Sequence, residues 1–201
     1  MSFIASILTR ALRSLYEILP VSLLLAFLFM FAYLFGKEIG VRRALKAWRD
    51  AFVKNKRFRR VFFFALYTAM ILCKTLLIRS IWDEPFKDVL GVWGIYDREG
   101  QLYTENIENV ILFLPFTFLF FLTFGDRIKS ASHGRTLQLL RVGILLSLGL
   151  SVTIEGLQLM LRMGAIQLSD VVFNTAGGFL GCMLYLLLRR KQPAAPEKEQ
   201  P

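Results

Sequence analysis

Cysteine and histidine are nearly missing from this chain: its 201 residues hold two of the first and one of the second. Two cysteines cannot build a disulfide framework, and adding one histidine does not make a metal cluster, so no metal is expected. No P-loop, no G-x-G-x-x-G string and no nucleophile elbow occurs, which leaves no signal for a bound cofactor. No internal repeat is present. Charge is also scarce, with Asp, Glu, Lys and Arg making 20% of the chain. A soluble single-domain enzyme is close to excluded by what the chain holds instead.

What the chain has is apolar mass. Hydrophobic residues make 55% of it, nineteen of them Phe, and mean hydropathy is +0.51. Lipid is the solvent such a composition suits. Five apolar blocks, Ile18–Phe35, Val61–Ile78, Ile107–Phe124, Val142–Leu161 and Val171–Leu188, each approach the roughly 20 residues that cross about 30 Å of hydrocarbon. Lipid offers unpaired backbone groups no partner, so these blocks must be helices. The sequence therefore predicts an all-α integral membrane protein of about five transmembrane helices. An N-terminal amphipathic helix over residues 1–17 precedes them, with Phe3, Ile4, Ile7, Leu8, Ala11, Leu12 and Leu15 on one stripe, lying in the interface. The remaining divisions fall at 18–104 (two spans and their loops), 105–188 (three spans) and 189–201 (a disordered tail, RRKQPAAPEKEQP).

The net charge of +10 would suggest nucleic acid if it were gathered on one face. Instead it lies between the apolar blocks, so no nucleic-acid partner is expected. The gap Gly36–Arg60 holds ten Lys and Arg, Gly125–Arg141 four, and the tail four, whereas the alternate segments hold two, three and one. Basic loops stay inside. The N-terminus is thus expected outside and the C-terminus in the cytoplasm. Within the basic gap Val41, Ala44, Leu45, Trp48 and Phe52 repeat at helical spacing, which suits either an anionic-lipid contact or a positive-inside anchor. Across the bilayer, WGIYDREGQLY reads as a short hairpin turning at Asp97-Arg98-Glu99-Gly100. Its loop, carrying Trp82, Trp93, Tyr96 and Tyr103, either caps a site or forms an interfacial aromatic belt.

Ionisable and amide side chains inside hydrocarbon need a partner or a purpose. Lys74, Asn109, Glu155, Asp170 and Asn174 all fall near the same end of their spans, so hairpin connectivity brings them to one membrane face. Ser151, Glu155 and Gln158 share one face of the fourth span, and Asp170 and Asn174 one face of the fifth. Gly177-x-x-x-Gly181 admits a close helix neighbour, and Pro115 should kink the third span and free a carbonyl. Two readings remain open. Lys74 and Glu155 neutralise each other while Gln158 and Asn174 hold helices together, or the set lines an outward-facing pocket for an amphiphile. An enzyme would need Glu155 as a base with Lys74 or Asp170 beside it, and nothing in the spacing requires that. His133 falls in a loop. Nothing in the sequence signals an oligomeric state.

Three strings carry a likeness. Asn109-Val-Ile-Leu-Phe113-Leu-Pro115, Ser151-Val-Thr-Ile-Glu155-Gly-Leu-Gln158 and Asp170-Val-Val-Phe-Asn174-Thr175-Ala-Gly177-Gly-Phe-Leu-Gly181 together resemble the VanZ-like family in order and spacing. Three positions differ: Thr117 replaces the usual Gly, Gly164 the usual Arg, and Gln167 a common acid. The resemblance implies a protein of the bacterial cell envelope, associated with resistance to glycopeptides such as teicoplanin. It also implies membrane lipids as partners, with a lipid-linked cell-wall precursor or a glycopeptide as ligand. The rivals in other classes are a hydrolase or transferase acting on a lipid-linked phosphate and a small transporter subunit.

Overall fold

The computed structural model describes residues 3–35, 40–77, 88–94, 96, 100, 102–131, 136–161 and 166–190. Six helices make up most of this: α1 Phe3–Phe35, α2 Val41–Lys54, α3 Lys56–Leu77, α4 Glu105–Ala131, α5 Thr136–Leu161 and α6 Leu168–Arg190. The protein is all-helical among the described residues except for one antiparallel bridge, Tyr96 to Leu102. That bridge and Gly100 at φ 76° are the predicted hairpin. His133 and residues 191–201 of the tail lie outside the described residues.

Segments of α4, α5 and α6, Glu105–Ile128, Thr136–Leu161 and Leu168–Arg189, are long and apolar enough to cross a membrane. They correspond to the last three predicted spans. In α1 the apolar stretch is the shorter Val21–Phe31.

Polarity is arranged inside out. Buried side chains include Thr117, Ser147, Ser151, Glu155, Gln158, Asp170 and Asn174, while Leu145, Val152, Met160, Val172 and Leu187 are exposed. A water-soluble bundle does the reverse; in lipid the apolar exterior needs no cover, and polar groups must find each other. The buried face of α5 repeats this at four-residue intervals: Gly143, Ser147, Ser151, Glu155. Small residues there let the helices approach.

α4 and α6 pack most extensively, and two glycines are the reason. A Cβ on Gly177 would stand 2.4 Å from the Val110 carbonyl oxygen, and one on Gly181 would stand 2.1 Å from that of Leu114. The predicted close approach is thus made against α4. Pro115 does not break α4, which runs on to Ala131. The Tyr67 hydroxyl donates to the Leu112 carbonyl at 3.0 Å, in the turn where the proline ring removes a donor.

Two expectations change. The N-terminal segment is continuous with the first apolar block, one helix of 33 residues. Within it Ile7 is buried and Leu15 packs on the core of Ile71, Leu112, Phe113, Phe116 and Ile154. The break expected after residue 17 is therefore not formed: α1 runs on uninterrupted, and part of the apolar stripe packs on protein. Likewise part of the α2 stripe turns inward, although Leu45 stays 49% exposed. Ala44 is fully buried, and the Trp48 ring lies 5.0 Å from Phe27, 5.2 Å from Phe52 and 5.8 Å from Phe62, centroid to centroid. Asn55 makes the turn into α3, its side-chain oxygen accepting from the Arg57 and Phe58 backbone at 2.9 and 3.2 Å.

Candidate functional site

The seven polar residues singled out above all lie at one end of the bundle, where α3 and α5 end and α4 and α6 begin. The Asn109 amide donates to Asp170 Oδ1 at 2.9 Å, tying α4 to α6. The Asn174 amide donates to Ser151 Oγ at 2.9 Å, tying α6 to α5. The Gln158 amide donates to the Thr75 carbonyl at 2.8 Å, tying α5 to α3. Glu155 accepts from the Gln167 backbone N–H at 3.2 Å, which fixes the entry to α6. Ser151, Gln158 and Asp170 are at most 2% exposed, and Glu155 and Asn174 about 6% and 5%.

Lys74 is the exception to expectation. Its ammonium pairs with Glu108 Oε2 at 3.4 Å, so the ion pair joins α3 to the first turn of α4 and is not the Lys74–Glu155 pair. Glu108 in turn accepts from the Thr104 hydroxyl at 2.9 Å, and a carboxylate in a helix's first turn suits its positive end. Position explains the choice, since Glu108 precedes Asn109 at the mouth of α4, whereas Glu155 faces α6.

Among the described residues the buried acceptors Gln158 Oε1 and Asn174 Oδ1 and the buried Ser169 hydroxyl have no hydrogen-bond partner. Buried polar groups are ordinarily matched, so Gln158 and Asn174 stand out as two acceptors left over at this end of the bundle. Two cavities lie elsewhere, one at the opposite end of α4 and α6 and one between α1 and α3.

The loop of residues 88–94 lies over this layer. Val89 accepts from the Leu168 backbone at 2.8 Å, and the Asn106 amide donates to the Val92 and Gly94 carbonyls at 2.7 and 3.2 Å. Gly91, at φ 70°, sits so near α6 that a Cβ would fall 2.0 Å from Ser169 Oγ. Trp93 meets Phe173 at 6.2 Å between ring centroids. Residues 88–94 thus pack on the start of α6, while Trp93 and Tyr96 remain exposed. Trp82 and residues 97–99 are outside the described residues.

Sequence reasoning missed several partners. Thr117 and Ser147 share a buried hydrogen bond of 3.0 Å, and both press on Gly178, where a Cβ would meet them at 3.0 and 1.7 Å. The threonine that departs from the family pattern is thus accommodated by a neighbouring hydroxyl. Gln167, another departure, accepts from the Tyr103 hydroxyl at 3.2 Å. A Ser147–Ser151–Glu155 spacing on one helix face was the available signal for the first. Gly164 and Arg162 fall outside the described residues.

Comparison with known proteins places this arrangement. The family model described as VanZ/LLP1 matches residues 3–189, nearly the whole chain. Among curated proteins the chain is similar to Protein VanZ of Enterococcus faecium, 32% identical over 124 residues, which cover 54% of this chain and 68% of that protein. No solved structure matches.

Proposed function

The chain belongs to the VanZ/LLP1 family, and from that premise we propose that it is a five-span protein of the bacterial cytoplasmic membrane that binds an amphiphile at the outer leaflet. The ligand is a cell-wall lipid precursor or a lipoglycopeptide, and binding lowers the action of teicoplanin-like glycopeptides. Glu155, Gln158, Asp170 and Asn174 form the site, with Asn109, Ser151 and Lys74 beside them. The observation that carries this is a set of buried polar atoms without a hydrogen-bond partner among the described residues, the acceptors Gln158 Oε1 and Asn174 Oδ1 and the Ser169 hydroxyl. The sugar hydroxyls and peptide amides of such ligands would supply donors, and their lipid tails would lie along the apolar exterior.

The Lys and Arg excess of the basic gap and tail supports an N-terminus outside and a C-terminus in the cytoplasm, with α1 and α3 crossing beside the three more apolar helices. Single-cysteine variants in the 88–94 loop and in α2, labelled by an impermeant maleimide on whole cells, test that orientation. Labelling of α2 in place of the loop reverses it.

Function is tested by expressing wild type, Glu155→Gln and Asp170→Asn at matched membrane levels in a glycopeptide-sensitive bacterium. Wild type is expected to raise the inhibitory concentration of teicoplanin more than that of vancomycin, and both variants to lose the effect. Full protection by both variants rejects the polar layer as the binding site.

A further inference from the structure

The opposite end of the bundle carries a different kind of chemistry. A cavity of about 250 Å³ opens where α3 begins and α4 and α6 end, walled by Arg60, Asp126, Tyr185 and Arg189 and by the apolar Leu122 and Leu188. Arg60 Nη1 donates to the Leu122 carbonyl at 3.0 Å, and the Thr123 hydroxyl donates to the Arg60 carbonyl at 3.2 Å, so the arginine is anchored to α4 from both its backbone and its head. Arg189 pairs with Asp126 Oδ1 at 2.7 Å and donates to the Tyr185 hydroxyl, its guanidinium 5.7 Å from the Tyr185 ring centroid.

Two guanidiniums face one carboxylate. Asp126 is spent on Arg189, while Arg60 spends its one hydrogen bond on a neutral carbonyl and has no carboxylate partner among the described residues. The rest of its N–H donors are free for a ligand. A cavity with one net positive charge suits one monoanion, and guanidinium groups suit phosphate oxygens.

The geometry points to a headgroup site for an anionic phospholipid, one that holds the phosphodiester between Arg60 and Arg189 at the basic end of the bundle. Three features favour a lipid over a free phosphate. The volume falls short of the roughly 300–1,000 Å³ typical of sites that engulf a drug-sized molecule, so it holds a headgroup and leaves the rest outside. Leu122 and Leu188, the latter 49% exposed, form an apolar wall along which acyl chains can run. The cavity also lies at the end of the bundle flanked by the basic gap, where anionic lipid is drawn to lysine and arginine. This site is separate from the polar layer, and its occupancy does not depend on the ligand proposed there.

The test uses the full chain in lipid nanodiscs made from equal parts phosphatidylglycerol and phosphatidylcholine, with retained lipid counted by native mass spectrometry. Wild type is expected to retain phosphatidylglycerol in preference to phosphatidylcholine. Arg60→Gln, at an exposed position, is expected to lower that retention about fivefold, the factor one arginine contributes near an anionic surface. Asp126→Asn is expected to raise it, because the carboxylate competes with the lipid for Arg189; a purely structural role for the Arg189–Asp126 pair would lower it. Equal retention of the two lipids, or unchanged retention in Arg60→Gln, overturns the site. Complete displacement of phosphatidylglycerol by inorganic phosphate at equal phosphorus concentration overturns the lipid as occupant.

Discussion

Asn109 and Asp170, 61 positions apart, meet at 2.9 Å across the seam between α4 and α6. Asn109 lies in the second turn of α4 and Asp170 in the first turn of α6, so this hydrogen bond ties together the starts of the two most extensively packed helices. A buried hydrogen bond to a charged or chargeable group contributes about 1.5–3 kcal/mol. Asn109→Ala should therefore lower the melting temperature of the detergent-purified protein by several degrees, and Asn109→Asp should lower it further by setting two carboxyl groups together. An unchanged melting temperature in both variants would detach this contact from stability.

The glycines of α6 make a sharper comparison. Gly181→Ala puts a methyl group 2.1 Å from the Leu114 carbonyl oxygen, whereas a Cβ at Gly149 or Gly156 meets nothing within 4 Å. Overpacking a tight interface costs roughly 1–3 kcal/mol or more, while alanine in an open helical position gains up to about 1 kcal/mol over glycine. Gly181→Ala should yield little monodisperse protein on size-exclusion chromatography, and Gly149→Ala should elute as wild type with equal or higher thermal stability.

The ion pair predicts a coupling. Lys74 and Glu108 are 18% and 15% exposed at their side chains, enough burial for a lone partner to be left costly. Lys74→Met and Glu108→Gln should each destabilise the protein, and the double variant should recover part of the loss. Lys74→Met with Glu155→Gln should instead be additive to within about 0.5 kcal/mol. Strong coupling in that second cycle would move the pair back to Glu155.

Gly91 ties the outer loop to α6. Its φ of 70° and its nearness to Ser169 both resist a side chain. Gly91→Val should lift the 88–94 segment, which hydrogen exchange would record as faster exchange at Leu168 and Gly91, the two backbone donors bonded there. Protection equal to wild type at both amides would show that the loop is held by other contacts.

Much of this was legible in the sequence because lipid simplifies the problem. Apolar length identified α4, α5 and α6, hairpin connectivity gathered Glu155, Asp170, Asn109 and Asn174 at one end, and Gly177 with Gly181 announced a close neighbour. What could not be read was pairing between elements. Nothing in the spacing says that Lys74 chooses Glu108 over Glu155, since both lie within a few residues of the same face and only the relative rotation of α3, α4 and α5 decides. The aromatic stripe of α2 was ambiguous for a related reason: a face of Trp and Phe satisfies lipid and protein equally, and the presence of Phe27 and Phe62 opposite it is a tertiary fact.

The continuity of α1 has a mechanical consequence. A helix of 33 residues measures about 50 Å at 1.5 Å per residue, and no joint separates its N-terminal turns from the stretch whose Phe27 meets Trp48. A push on those turns is delivered along the axis to the ring cluster. The first helix is in that sense a lever, with its long arm in the N-terminal turns and its bearing at Phe27.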